Sequence, residues 1–433
     1  MPISPSRAAA FDVLMRIEMT DAYASELLHS SRFANLSPSD HALLTELVMG
    51  VLRWRSTLDG VIAGHSSTAL ARTDLEVLTA LRLGAYQLLF LDRIPARAAI
   101  NESVELTKRA HKRSATGMVN AVLRKISELG RQSSQLVPRS AHPDWLVERW
   151  SENYGIDKAA AICEYDQRPP MPVVRITDSA IVKELEQSGI GIEAAGLLAK
   201  AYRITAGDIT TAKAFRDRRL NIQDEASQLV ALLVGEGKSI LDCCAAPGGK
   251  TRIIADRNPN AKIVALELHP HRAALLRELV HEPRVQVMAA DVRAIPLRKT
   301  FERVLVDAPC SGTGTLARNP EIKWRLKPDD LTRIQQYQTE ILRSAMQFVS
   351  AGGRLVYSTC SLEPEENEDV IKRALASDSS FTVMDCRTEL EKLQASGELT
   401  DIDTSSLLTG LYLRTIPGVH RCDGFFAAIL EKR

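Results

Sequence analysis

The sequence predicts a chain in three parts: an all-α bundle over residues 1–135, a small α+β segment over 145–220 and an α/β Rossmann-like domain over 221–433. Two observations carry this reading. Apolar residues recur at helical spacing through the first 130 residues, and from about residue 225 short apolar runs alternate with helical stretches. A strand buried on both faces has no polar side, so the strands of a parallel sheet read as unbroken apolar runs. Their alternation with helices predicts a doubly wound sheet.

The elements follow in order. AFDVLMRI sets Phe11, Leu14, Met15 and Ile17 near helical spacing, and DHALLTELVMGVLRWRSTLDGVI continues the period with Asp40 as N-cap. TDLEVLTALRLGAYQLLFLD and AAINESVELTKRAH are two more helices, parted at RIPAR because Pro95 cannot continue the first. GMVNAVLRKISEL closes a helical bundle. The polar stretch RQSSQLVPRSAHPDW reads as a linker, DWLVERWSENYG as a short helix and QRPPMPVVRITD as a lead into a strand. Five strands follow in SILDCC, KIVALEL, RVQVMAAD, RVLVDAP and GRLVYSTC, and LYLRTIPGV with GFFAAILEK predicts a terminal antiparallel hairpin.

Bulk properties narrow the function classes. The 433 residues are 45% hydrophobic and 25% charged, ordinary for a water-soluble globular chain of two or three domains. No signal-peptide pattern opens the chain and no apolar run reaches about 18 residues, so a membrane protein is not expected and the cytoplasm is the expected compartment. The seven cysteines are scattered without a C-x-x-C pair, which argues against a zinc site or a disulfide framework; no metal is expected. The net charge of +1 divides into +4 over residues 1–140 and −3 beyond. Basic residues bunch at Lys108, Arg109, Lys112, Arg113, Arg124 and Lys125, which suits either a phosphate-facing patch or a solvated helix face.

Ligands of an open α/β sheet bind beyond the carboxyl ends of its strands. The first strand here runs into Asp242-Cys243-Cys244-Ala245-Ala246-Pro247-Gly248-Gly249-Lys250-Thr251. Small residues let the backbone approach a ligand, and the following helix offers free N–H groups to a carboxylate. Neither a dinucleotide G-x-G-x-x-G nor a P-loop is present there. The next strands end at Glu267, placed for ribose hydroxyls, at Asp291, placed for an adenine amino group, and at Asp307. Together the loop Cys244 to Lys250 and these three carboxylates describe a nucleoside with a charged tail, which S-adenosylmethionine fits.

Two cysteines share that face, in Asp307-Ala308-Pro309-Cys310 and Ser358-Thr359-Cys360. Carbon 5 of cytosine is a poor nucleophile until a thiolate adds to carbon 6. The addition turns the ring into an enamine that attacks a methyl sulfonium. Lys250 suits stabilisation of a thiolate, and Asp307 suits the N3 and N4 edge of the base.

DCCAAPGGKT, ALELHPHR, ADVR, DAPCSGTGT with NPEIKW, STCSLEPEENE, DGFFAAIL and QDEASQLV resemble, in order, the Nop/Sun-type RNA cytosine-5 methyltransferases over residues 220–433. LRLGAYQLLFLDRIPARAAINESVELTKR and GMVNAVLRKI resemble the NusB-like RNA-binding helical domain. The resemblance implies an S-adenosylmethionine-dependent enzyme acting on a cytosine of 16S ribosomal RNA. It implies Cys360 as nucleophile and Cys310 as the thiol of product release, with cofactor contacts at Cys244, Ala245, Ala246, Pro247, Gly248, Gly249, Lys250, Glu267, Asp291 and Asp307. Cys243 receives no role, and Lys323 and Trp324 suit an RNA groove and plain packing equally. A monomer is expected. The rival readings are the same chemistry on transfer RNA or another RNA, a DNA methyltransferase, and a non-catalytic RNA-binding assembly factor. In DNA enzymes of this chemistry the Pro-Cys thiol is the nucleophile, so the second cysteine and the EENE run speak against DNA. Intact Cys310, Cys360, Lys250 and Asp307 speak against a retired site.

Overall fold

The computed structural model describes residues 3–130, 141–295 and 299–433. Most of the expected linker over 131–145 lies outside these residues. The chain forms two compact units, one of residues 1–169 with Leu316–Arg325, the other of Pro170–Thr315 with Leu326–Arg433.

Among its described residues the first unit's regular elements are all helices. Its central helix, Leu75–Phe90, buries every residue from Val77 to Leu89, as a helix enclosed by others must, with the one buried charge, Arg82, paired to Asp59 and Glu18. Around its core lie Pro5–Met19, Pro38–Arg53, Arg55–His65, Ala96–Arg109 and Thr116–Glu128. The run expected from Asp40 onward divides at Trp54, whose ring packs 5.0 Å from that of Phe90. The N-cap is Ser37, whose hydroxyl accepts from Asp40 N; Asp40 instead returns its carboxylate to the Ser37 hydroxyl in the first turn. Two further helices, Asp144–Tyr154 and Ile156–Asp166, fall within this compact unit. Half of the basic cluster is neutralised within the fold: Lys108 pairs with Glu105, Arg109 with Asp12 and Lys112 with Asp74. Arg113, Arg124 and Lys125 stay exposed.

Among its described residues the second unit holds two sheets. The smaller is antiparallel, in the order β2-β3-β1-β4, from β1 (Val173–Arg175), β2 (Gly191–Ala194), β3 (Ala201–Ala206) and β4 (Asn221–Ile222). The larger contains β5 (Ser239–Asp242), β6 (Lys262–Glu267), β7 (Val285–Ala289), β8 (Phe301–Asp307), β9 (Val349–Thr359), β10 (Phe381–Met384), β11 (Leu408–Thr409), β12 (Tyr412–Thr415) and β13 (Phe425–Lys432). The order is β11-β12-β13-β9-β8-β5-β6-β7, with β10 on β13. The five expected strands β5 to β9 are mutually parallel, and β12 and β13 form the expected antiparallel pair at the end of the chain. Strand order reverses between β5 and β8, which opens a crevice at their carboxyl ends. Residues such as Ile240, Leu305 and Val356 serve a core on one face of this sheet, and Leu241, Val304 and Leu355 one on the other. No helix among the described residues is long and apolar enough to cross a membrane.

Candidate active site

Register brings the functional strand ends together. On the parallel strands β8 and β9 Asp307 lies opposite Ser358. The chain runs on three residues to Cys310 and two to Cys360, so both thiols leave the sheet at the same height. Their sulfurs are 3.3 Å apart. The Cys310 thiol is pushed well above its ordinary value, first by its hydrogen bond to Cys360 and then by burial. Cys310 is therefore held as a neutral S–H beside the Cys360 sulfur.

Asp307 joins this pair to the glycine-rich loop. Its Oδ2 accepts from Lys250 Nζ at 2.7 Å and its Oδ1 from the Ser358 hydroxyl at 2.8 Å. Lys250 also sits 5.1 Å above the ring centre of Phe425. Its ion-pair partner among the described residues is this carboxylate, not a thiol. Under the loop, Asp242 is fully buried and accepts from the Thr251 hydroxyl at 2.7 Å, which ties β5 to the helix Gly249–Arg257. Burial pushes its carboxyl up to about 6. Gly248 turns the chain into that helix at φ 118°, a conformation that side chains disfavour.

A pocket of about 380 Å³ opens here, lined by the whole loop Cys244 to Lys250 and by Asp307. Its opposite wall comes from residues 210–223. Glu267 and Asp291 end β6 and the segment after β7 and lie outside that lining. Glu267 is buried, accepts from His269 N and has Arg272 at 3.9 Å. Asp291 is held by Arg293 in a forked ion pair, with 2.7 Å to Nη2, which lowers its carboxyl. Two carboxylates at strand ends and a small-residue turn at a helix start suit the hydroxyl, amino and carboxylate groups of a charged nucleoside. Cys243 is buried in the core.

The sequence did not reveal what orients the thiols. The Glu366 carboxylate is fully buried. It accepts from Ser311 N at 2.8 Å, from the Ser311 hydroxyl, from the Ser361 hydroxyl at 2.6 Å and from Gln338 Nε2 at 3.0 Å. Ser311 follows Cys310 and Ser361 follows Cys360, so one side chain clamps both thiol-bearing turns. Its neighbour Asn367 accepts from the Thr359 hydroxyl at 2.5 Å and donates to Ser361 O at 2.9 Å, bracketing Cys360 on both sides. The only hint was the EENE run within the motif. Lys323 and Trp324 are packing residues of the helical unit. Lys323 Nζ donates to Arg53 O and Ala141 O, and Trp324 Nε1 to Leu52 O.

Comparison with known proteins gives the family. Residues 229–431 match the family model described as 16S rRNA methyltransferase RsmB/F, residues 4–128 that of the NusB family, and residues 142–209 the ferredoxin-like domain of RsmF/B-like methyltransferases. A probable ribosomal RNA small subunit methyltransferase B of Bacillus subtilis is 34% identical, the alignment covering 99% of this chain and 98% of that one. The ribosomal RNA small subunit methyltransferase B of Vibrio cholerae is 32% identical over 99% and 97%. Among solved structures, that of PH0851 superposes over the full length of both chains with a TM-score of 0.80 and 26% identity. A methyltransferase homologue from Pyrococcus horikoshii is 25% identical with a TM-score of 0.55, over 70% of this chain and 100% of that one. With full-length relatives above 30% identity and the three domain matches in order, the chain belongs to the RsmB/F family of 16S rRNA methyltransferases.

Proposed function

We propose that the protein methylates carbon 5 of a cytosine in 16S ribosomal RNA through a covalent adduct with Cys360. The observation that carries this reading is the pair of thiols 3.3 Å apart beside the Asp307–Lys250 ion pair. S-adenosylmethionine, bound at the loop Cys244 to Lys250 with Glu267 and Asp291, supplies an electrophilic methyl group.

The chain's own groups account for the rest. A carboxylate and an ammonium 2.7 Å apart present an acceptor beside a donor. That pattern complements the N4 amino group and N3 of cytosine and opposes the O4 and N3–H of uracil. Cys360 as thiolate adds its electron pair to carbon 6, and the Cys310 S–H hydrogen-bonds to that sulfur before addition. Lys250, donating to N3, stabilises the ring as negative charge moves there, while Asp307 accepts from the N4 amino group. After methylation, loss of the carbon-5 proton to solvent restores the C5=C6 double bond. The C6–S electron pair returns to Cys360, with the Cys310 S–H again bonding the departing sulfur.

The test is transfer of labelled methyl to small-subunit RNA, transfer RNA and DNA side by side, followed by nucleoside analysis. Label as 5-methylcytidine in the ribosomal RNA alone is expected. Label in another base, or in DNA, overturns the reading, and label in transfer RNA keeps the chemistry while replacing the substrate.

A further inference from the structure

The pocket beside the glycine-rich loop has two dissimilar walls. One is the loop itself with Asp307, already given to cofactor and target base. The other is built by Thr210, Phe215, Arg216, Leu220, Asn221 and Gln223, from the end of the small sheet. Residues 210–228 fall between the matched ferredoxin-like and methyltransferase regions, so nothing in the family comparison gives this wall a task.

Its chemistry is cationic and amide-rich. Arg216 is exposed, and its guanidinium makes no hydrogen bond or ion pair among the described residues. The guanidinium of Arg252, on the helix that follows the loop, also makes none, and it meets Asp256 only through the longer-range field. Arg218 lines the same wall but is spent on Glu278, to which it donates at both the carbonyl and the carboxylate. Of the acidic groups of the floor, Asp307 is taken up by Lys250 and Ser358, and Asp242, fully buried, accepts from Thr251 through Oδ2. Two free guanidiniums on this side of the pocket favour an anion and disfavour the sulfonium and ammonium of the cofactor.

The amides face the loop. A Cβ placed on Gly249 would stand 3.0 Å from Gln223 Oε1 and 3.1 Å from Asn221 Nδ2, so both side chains lie directly against the backbone there. Gln223 spends its Nε2 on the Ser227 hydroxyl at 3.0 Å. The Asn221 carboxamide has no hydrogen-bond partner among the described residues, although the residue is half-buried. Phe215 adds a half-buried ring to the same wall. An unspent carboxamide, an aromatic face and free guanidiniums are what an unpaired nucleotide requires of a protein: a base edge to read, a ring to stack on and a phosphate to neutralise.

We propose that this wall holds the RNA nucleotide adjoining the target cytosine, with Arg216 and Arg252 on its phosphate and Asn221 on its base edge. The inference rests on the proposed cytosine chemistry, and it makes residues 210–223 a determinant of which cytosine is chosen.

The test uses the full-length protein and small-subunit RNA transcripts in which each nucleotide flanking the methylated cytosine is varied in turn. Asn221→Ala should reduce the wild-type preference at one flanking position by about tenfold, the size of one base contact. Arg216→Ala should raise the KM for RNA about tenfold without changing kcat. It should also lower the salt slope of log kcat/KM by about 0.7, the value for one phosphate of a single strand. Calorimetric binding of S-adenosylmethionine should be unchanged in both variants. A weakened cofactor affinity with an unchanged KM for RNA would give the wall to the cofactor and overturn the proposal. So would unaltered flanking preference and salt slope in both variants. If the wild-type protein itself makes no 5-methylcytidine in this RNA, it is the underlying reaction that has failed, a result visible before any variant is made.

Discussion

Cys310 Sγ stands 3.3 Å from Cys360 Sγ, the two residues extending neighbouring parallel strands whose ends are in register. The hydrogen bond to Cys360 and burial push the Cys310 thiol well above its ordinary value, which suits the proposed division of labour, with Cys310 as S–H donor and Cys360 as nucleophile. Cys360→Ala should abolish methyl transfer and leave S-adenosylmethionine binding intact. Cys310→Ala should slow turnover by about 10²- to 10⁴-fold, the usual worth of a positioned proton donor, and accumulate a protein–RNA adduct visible on denaturing gels. An adduct that persists in Cys360→Ala and disappears in Cys310→Ala would exchange the two roles.

Glu366 explains why the sulfurs meet. Its carboxylate takes four donors, two from Ser311, one from Ser361 and one from Gln338. Glu366→Ala strands those donors in a buried site, at a cost of about 1–3 kcal/mol for each left unsatisfied. The loss falls on the turns after both cysteines, while the glycine-rich loop keeps its own supports at Thr251 and Asp242. The expected result is a fall in kcat of at least about tenfold, with the calorimetric affinity for S-adenosylmethionine unchanged. A variant with normal kcat would show that the thiols are placed without the clamp.

Such a clamp was not legible in the sequence, whereas the strand ends were. Ile240, Leu305 and Val356 sit in unbroken apolar runs because β5, β8 and β9 are covered on both faces, so the runs announced both the sheet and the residues that follow it. Glu366 lies in EPEENE, a run that on composition reads as solvated surface. Its burial depends on Ser311 and Gln338, 55 and 28 residues away. The second wall of the pocket escaped notice for a similar reason, since Asn221 belongs to the small sheet and meets Gly249 only in the folded unit. The break at Trp54 carries no proline or glycine, and its signal is a ring contact with Phe90 that no periodicity displays.

The loop after Cys310 is fixed by a close backbone contact. Gly314 N donates to Cys360 O at 2.9 Å, and Gly424 N donates to Gly314 O at 2.8 Å. A Cβ on Gly314 would stand 2.1 Å from Gly424 O, a main-chain atom that cannot swing aside. Gly314→Ala should therefore destabilise the protein by about 1–3 kcal/mol, the range for overpacking, and reduce methyl transfer more than Gly117→Ala does. Gly117 lies in a helix with open space around it, so its substitution should be neutral or stabilising by up to about 1 kcal/mol. Urea melts of the two variants compare the outcomes directly, and equal midpoints would contradict the contact.

Lys323 should give the helical unit a pH-dependent stability. Its side chain is 1% exposed, and its ammonium has three acceptors: Arg53 O at 3.0 Å, Ala141 O at 2.7 Å and, with the Gln167 amide turned to satisfy its neighbours, Gln167 Oε1 at 3.1 Å. Burial nonetheless lowers its pKa from 10.5 to about 7. Between those two values the unfolded chain holds a proton that the folded chain has released, so unfolding takes up a proton and stability rises with pH. The slope is at most about 1.4 kcal/mol per pH unit. Below about 7 both states are protonated and this contribution is flat. All four tryptophans, Trp54, Trp145, Trp150 and Trp324, lie in the helical unit, so their emission reports its unfolding. Urea midpoints of the wild type and of Lys323→Met, followed by this emission from pH 6 to pH 9, should diverge above about pH 7 as the wild type gains. The variant, which leaves Ala141 O and Gln167 Oε1 without this donor, should lack that gain. Parallel curves would mean that the buried amine keeps its proton across the whole range, held by its three acceptors.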